Sequence, residues 1–162
     1  MPAPASTRDL FAELYVAGLL ADAGWQLYFP KRDHGFDYVI TKLVRGVIII
    51  RPVQVKGLYP TPAKTDKNVY GYSGELSQLH SEMVLAIPFF PTTRERSPLF
   101  TAFLPYRQVR PRTNKLGEYS AFPASFRDGI PVPRRDFRRF FDSAGLQLME
   151  TEDFPNAQPE KI

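Results

Sequence analysis

Residues 32–57 read RDHGFDYVITKLVRGVIIIRPVQVKG, and this stretch decides the fold. It contains two β-branched and aromatic runs, Tyr38–Ile40 and Val47–Ile50. Such runs are typical of β-strands, and the Arg45-Gly46 pair between them supplies a residue free to adopt the positive φ of a tight turn. The stretch therefore predicts an antiparallel β-hairpin.

The hairpin would bring three polar residues together. Gln54 and Lys56 are two positions apart on its second strand, so the alternation of a strand points both side chains to one face. The antiparallel return carries that face back to Asp37. Carboxylate and amide oxygens suit Mg²⁺, and a lysine can steady an attacking water or the charge on a phosphate. The set predicts metal-assisted phosphodiester hydrolysis; a surface hairpin whose polar residues merely face solvent is the alternative.

The order Asp33-x-Gly35-x-Asp37, hydrophobic strand, turn, and second strand ending Gln54-Val55-Lys56-Gly57 resembles the PD-(D/E)XK nuclease superfamily. It is most similar to the Mrr-type restriction endonuclease branch, where Gln commonly replaces the acidic residue of the motif. The resemblance covers residues 8–90. It implies a core of helix, three strands, helix and strand, a divalent metal at the bend of the second and third strands, and cleavage of DNA.

Two residues bear on this hypothesis. Pro52 lies inside the strand that carries the motif and removes a ladder donor, so a bulge or an edge position is expected there. Glu13 falls about 60° from Leu10 on the predicted first helix. The resemblance implies that Glu13 is an auxiliary ligand for the metal or for water, whereas a boundary Glu in contact with water or an arginine is the alternative.

The composition is that of a folded domain. The chain has 162 residues, 43% of them hydrophobic and 23% charged, which suits one domain with a single core. We expect a nuclease-like core over residues 8–104 and a basic C-terminal extension over residues 105–157. The absence of cysteine excludes disulfides and fits a reducing compartment. No apolar run approaches the ~20 residues that cross a bilayer, so we expect a cytoplasmic protein that has no membrane partner.

Several further elements follow from the pattern. A helix should run from a cap at Ser6 or Thr7 to Gly24. Its core-facing stripe should consist of Leu10, Leu14, Ala17 and Ala21, widened by Phe11, Val16 and Leu20. The remaining predicted elements are a strand over Trp25–Phe29, a short helix that begins at Ser73 or Ser77, strands over Met83–Phe90 and Leu99–Leu104, and a last helix over Arg134–Phe141.

The net charge of +4 is unevenly distributed. Residues 94–140 contain 11 Lys or Arg against 4 Asp or Glu, which predicts either a surface for a polyanion or an ordinary solvated surface. Loop lysines near the tyrosines of residues 58–74 could add phosphate contacts. The candidate nucleic-acid-binding residues are Lys31, Arg32, Lys64, Lys67, Arg107, Arg110, Arg112, Lys115, Arg134, Arg135, Arg138 and Arg139.

These observations lead to one hypothesis and two alternatives. We expect an α/β, restriction-endonuclease-like fold with a mixed sheet flanked by helices, and a DNA endonuclease that depends on Mg²⁺, with Mn²⁺ able to substitute. Asp37, Gln54, Lys56 and Glu13 would be catalytic, and Asp37, Gln54 and Glu13 would bind the metal. A homodimer is plausible because cutting both strands takes two sites. The alternatives are an inactive nuclease-fold module that binds nucleic acid or protein, and a nuclease for RNA or branched DNA.

Overall fold

The computed structural model describes residues 5–32, 35–61, 68–92 and 97–162. The elements are α1 (Ala5–Asp22), β1 (Gln26–Tyr28), β2 (Tyr38–Val44), β3 (Val47–Val55), β4 (Tyr70–Glu75), β5 (Val84–Phe89), β6 (Phe100–Pro105), β7 (Arg110–Pro111), β8 (Glu118–Arg127), β9 (Ile130–Pro133) and α2 (Asp142–Leu148). Short 3₁₀ helices cover Tyr106–Gln108, Arg135–Phe140 and Phe154–Asn156. Within the described ranges, no helix is long and apolar enough to cross a membrane.

Two sheets form the framework. The first has the order β1-β2-β3-β5-β6, in which only β3 and β5 pair in parallel. The second has the order β4-β8-β7, and β9 pairs with β8. The prediction of an α/β protein with a mixed, largely antiparallel sheet is confirmed.

The predicted hairpin is present as β2 and β3. Their register runs from Tyr38↔Val53 to Val44↔Val47. The turn residues Arg45 and Gly46 have φ of 50° and 81°, as the two-residue turn favoured by twisted strands requires. The predicted strands over Trp25–Phe29, Met83–Phe90 and Leu99–Leu104 are also confirmed, as β1, β5 and β6.

Pro52 is accommodated without the bulge that the sequence suggested. It pairs with Val39 in unbroken register. The N–H groups of Val55 and Lys56 point to the β2 side and the β5 side respectively, so alternation directs the nitrogen of Pro52 to the β5 side. Pairing with β5 begins only at Val53. The nitrogen of Pro52 therefore faces a position where β3 has no partner strand, so the absence of its N–H removes no hydrogen bond from the sheet.

Helix α1 covers one face of the first sheet, through a stripe that matches the predicted one only in part. Ala12, Val16 and Leu20 are buried, and so is the predicted Ala17, whereas Leu10 and Leu14 are 53% and 55% exposed and Ala21 is also exposed. The prediction is confirmed for Val16, Ala17 and Leu20. It was wrong for Leu10, Leu14 and Ala21, because α1 is apolar on several sides. Helical spacing alone cannot say which of its stripes meets the sheet.

The predicted helix after Ser73 or Ser77 was also wrong. This region forms β4, which ends at Glu75, and an irregular segment that leads to β5. Strand β4 exists because β8, more than forty residues further along the chain, pairs with it. A distant partner of this kind outweighs local propensity. The helix of the implied core is therefore absent from the described residues between β3 and β5.

The C-terminal part packs against both faces of the first sheet. The predicted last helix is a 3₁₀ helix, and α2 follows it. Phe137 and Phe140 join the core between the two sheets, while Met149 and Phe154 join the core beneath α1. Residues 105–157 are thus built into the core of the protein.

Arg51 ties this C-terminal segment to β3. The side chain is only 2% exposed. Its Nε and Nη2 donate to the carbonyl oxygens of Met149 and Thr151, each at 2.9 Å, and Nη1 donates to Glu82 Oε2 at 2.8 Å. The guanidinium also lies 4.8 Å from the ring centroid of Phe154. Burial lowers the pKa of Arg51, and the Glu82 carboxylate opposes that shift.

Candidate active site at the start of β2 and the end of β3

Asp37 immediately precedes β2, and it is bound to the backbone of β3. Its N–H donates to the Val53 carbonyl at 2.9 Å. Its Oδ2 accepts the N–H of Val55 at 2.6 Å. The two contacts bracket Gln54, so the structure places the Asp37 carboxylate beside the motif strand. The Asp37 carboxylate thus takes the place of a backbone carbonyl as the acceptor for the Val55 N–H of β3, at the point where β2 begins.

Gln54 is buried, and one end of its side chain is fixed. Its Nε2 donates to the Gln78 carbonyl at 2.8 Å, in the segment that follows β4. Strand alternation directs Gln54 away from the sheet face that carries Val53 and Val55. The carbonyl oxygen Oε1 is the end of the amide that can bind a cation.

Lys56 follows β3 and meets an aromatic ring from the second sheet. Its N–H donates to Ala86 at 2.9 Å, which fixes the backbone. Its Nζ lies 5.4 Å from the ring centroid of Tyr72, a cation–π contact. The hydroxyl of Tyr72 donates to the Glu75 carbonyl at 2.6 Å, so the ring is itself held.

A glycine permits Tyr72 to lie at this position. The pairing of β4 with β8 shifts register between Tyr70 and Tyr72. At Gly71, between them, a Cβ would collide with the Ala121 carbonyl and would lie 2.6 Å from Phe122 Cα. Only glycine allows the two backbones this close.

Helix α1 reaches the same end of the hairpin. A Cβ on Gly57 would lie 2.8 Å from Ala12 Cβ, so the helix packs directly on the end of β3. The buried Tyr38 hydroxyl donates to the Glu13 carbonyl at 3.1 Å. Burial raises the pKa of Tyr38, and the charges of Asp37 and Glu13 raise it further. Both carboxylates therefore lie near one hydroxyl, with Glu13 on the helix side of the sheet.

Arg8 and Asp9 also belong to this region, although neither was predicted to take part in the site. The Arg8 guanidinium lies 5.2 Å from the ring centroid of Tyr59. Burial raises the pKa of Tyr59 and of Tyr72, and the charge of Asp9 contributes to both shifts. Asp9 and Glu13 are four residues apart, a spacing that places them on one side of a helix. That spacing could have revealed Asp9; no sequence signal pairs Arg8 with Tyr59 or Tyr72 with Lys56.

The site offers oxygen ligands but few charges. The described part of the chain contains no group of three His, Cys, Asp or Glu side chains able to hold a metal. A cation at Asp37 would therefore depend on neutral ligands, namely the Gln54 carbonyl, backbone carbonyls and water, with Glu13 as the second predicted carboxylate. These hard oxygen donors fit Mg²⁺ or Mn²⁺, which retain several waters in such sites.

The predicted nucleic-acid-binding residues fall into two groups. Lys31, Arg32, Arg107, Arg110, Arg135 and Arg138 are exposed. Four others are engaged within the protein: Arg112 and Lys115 with Glu118 at 3.4 and 3.9 Å, Arg134 with Asp136 at 3.0 Å, and Arg139 with the Gln158 carbonyl at 2.9 Å. Lys64 and Lys67 lie outside the described residues, as does Asp33 of the motif. Arg134 and Arg139 each also pack on a phenylalanine ring.

No protein-family model matches this sequence, and no curated protein is significantly similar to it.

Proposed function

We propose that this protein is a divalent-metal-dependent endonuclease that hydrolyses DNA phosphodiester bonds. The observation that carries the proposal is the position of the Asp37 carboxylate, which is hydrogen-bonded to β3 within one residue of Gln54. Lys56 follows two residues later and Glu13 lies at the same end of the hairpin. Together they provide a metal-binding acid, a neutral oxygen ligand, a cation and a second acid.

Each side chain has a separate task in this proposal. Asp37 and Gln54 would hold Mg²⁺, which when bound would supply Lewis acidity and an activated water, and Glu13, on the helix side of the sheet, would be a ligand for water and not for the metal. Lys56 would bind a phosphate oxygen and stabilise the charge that develops in the transition state. The Tyr72 ring would hold the ammonium in position for this purpose.

The substrate would be bound by cations outside the site. Lys31 and Arg32 are exposed in the loop that leads toward Asp37, and they are the candidates for contacts next to the scissile phosphate. The exposed arginines of residues 107–138 would contact the more distant backbone. Such contacts add affinity without sequence preference.

The test is nicking of supercoiled plasmid with Mg²⁺ or Mn²⁺, and with EDTA as the control. Asp37→Asn keeps an oxygen that can accept the Val55 N–H but removes the carboxylate charge, so the fold should persist while cleavage falls by orders of magnitude. Asp22→Asn is the matched control, since Asp22 is exposed at the end of α1. Undiminished cleavage by Asp37→Asn would show that the site is assigned to the wrong residues.

One observation favours a second candidate, a nuclease-fold module that binds nucleic acid without cleaving it. The described residues offer no group of three His, Cys, Asp or Glu side chains able to hold a metal, and Gln54 is a neutral ligand. A neutral ligand in place of an acid lowers the affinity for a divalent cation. Duplex binding by wild-type protein that shows no metal-dependent cleavage of duplex DNA, branched DNA or RNA would identify this second function.

A further inference from the structure

We infer that the outer face of the β1–β2–β3 sheet is the interface of a homodimer. This outer sheet face comprises Tyr28, Val39, Leu43, Ile48, Ile50 and Pro52. It lies opposite the face covered by α1, because Leu27 and Ile49, which alternate with its members, pack against the core beneath α1. Leu43, Ile48 and Ile50 are 68%, 64% and 56% exposed.

The residue pattern is unusual for a sheet face in contact with water. An antiparallel sheet with one solvated face normally alternates apolar and polar residues, whereas strands buried on both faces are apolar throughout. Val47–Ile50 is an unbroken apolar run. The second sheet and the C-terminal segment cover β5 and β6 on this side, but the hairpin extends beyond them. The sequence is thus that of a strand buried on both faces, and one face remains exposed.

The size of the face suits a dimer. Each large apolar side chain provides on the order of 100 Å² to be buried, so the outer sheet face provides on the order of 500 Å². A standard interface buries about 800 Å² per partner, of which about two-thirds is apolar at its core. The apolar surface therefore matches what one copy must contribute.

Charge identifies the partner as a second copy. None of the six side chains that define the outer sheet face is charged. Gln26 and Thr41, the polar residues that lie among them on the same side of the sheet, are also uncharged. In a two-fold dimer each patch meets itself, so a charged patch would repel its copy and a neutral one does not. A nucleic acid would need cations on this face, and none of its members is basic. Two flat antiparallel faces also pack readily on one another, about 10 Å apart.

Analytical ultracentrifugation across a concentration series tests the interface. Wild type should form a dimer, and Ile48→Glu should weaken dimerisation by on the order of a hundredfold or more, since two carboxylates are desolvated per dimer. The monomer fold should be unaffected, because Ile48 is exposed. Leu14→Glu places the same charge on the exposed side of α1 and should leave the dimer intact.

Cross-linking provides a second test that does not depend on a charged variant. The chain has no cysteine, so Thr41→Cys introduces a single thiol at the centre of the outer sheet face. It should form an intermolecular disulfide on mild oxidation, whereas Leu14→Cys should not. A monomeric wild type at all concentrations, an Ile48→Glu dimer as tight as wild type, or dissociation by Leu14→Glu alone would each overturn the inference. None of these results depends on nuclease activity.

Discussion

The 3₁₀ helix Arg135–Phe140 and the residue before it provide a matched pair of variants for DNA binding. Arg135 and Arg138 are exposed, and within the described ranges neither side chain forms an ion pair. Arg134 donates to the Phe122 carbonyl and to Asp136, each at 3.0 Å, and Arg139 is held by Gln158. The double variants Arg135→Gln/Arg138→Gln and Arg134→Gln/Arg139→Gln remove equal charge from one segment.

The two double variants should behave differently. Each phosphate contact contributes about 0.9 to the slope of log K against log salt for duplex DNA. If Arg135 and Arg138 each bind a phosphate, their loss should reduce the slope by up to about 1.8. Arg134 and Arg139 are already engaged, so their loss should change the slope little. It should instead lower the free energy of unfolding by roughly 1 kcal/mol per residue.

Fluorescence anisotropy of a labelled duplex in Ca²⁺, over a salt series, measures the slope for wild type and both double variants. Ca²⁺ replaces Mg²⁺ so that binding is followed without cleavage. Thermal unfolding of the same proteins measures stability. If both double variants reduce the slope equally, charge alone matters and the exposed pair has no special role. If neither changes it, this face is ordinary solvated surface.

Three further predictions concern the site and the core. Tyr72→Leu should lower kcat for cleavage with little change in duplex affinity, because it removes the ring that orients Lys56, and Tyr72→Phe should lower it less; equal affinity losses in both would contradict the positioning role. Arg51→Ala should lower the free energy of unfolding by about 3–5 kcal/mol because it leaves buried carbonyls unpaired, whereas Glu82→Ala, at a side chain 46% exposed, should cost about 1 kcal/mol or less in urea unfolding. Burial raises the pKa of Tyr70 from 10.0 to about 12. The contribution of Tyr70 to the free energy of unfolding is therefore fully present below pH 10 and should be lost between pH 10 and 12. In that range the free energy of unfolding of Tyr70→Phe should depend less steeply on pH than that of wild type.

The sequence predicted the parts of the fold that depend on local pattern. The hairpin, the buried run of β5 and the extent of α1 follow from β-branched residues, turn residues and caps. The helix stripe and β4 did not, because each depends on a partner distant in sequence. α1 meets the sheet through Ala12, whose small side chain allows contact with Gly57. The sequence pattern correctly selected Val16 and Leu20 for the core, but it also selected the exposed Leu14.

The candidate site was predictable only along the hairpin. Strand alternation placed Asp37 beside Gln54 because both lie on neighbouring strands joined by a tight turn. The contacts that fix the side chains come from elsewhere: Gln78 holds Gln54, and Tyr72 holds Lys56. The sequence positions of Gln78 and Tyr72 do not reveal that either residue contacts the hairpin. The pairing of β4 with β8 sets the position of both residues.

The contact between Lys56 and Tyr72 differs from the ion pairs that hold Arg112 and Arg134. Arg112 and Arg134 are paired with carboxylates, which offset part of their attraction for a phosphate. A cation–π contact with an aromatic ring stabilises an ammonium by about 0.5–2 kcal/mol, and the ring adds no negative charge. Lys56 is therefore held in place while its charge stays available to an anion. In the proposed nuclease, a cation fixed in position would stabilise the transition state, and the contact that fixes Lys56 depends on the close approach of β4 and β8 that Gly71 permits.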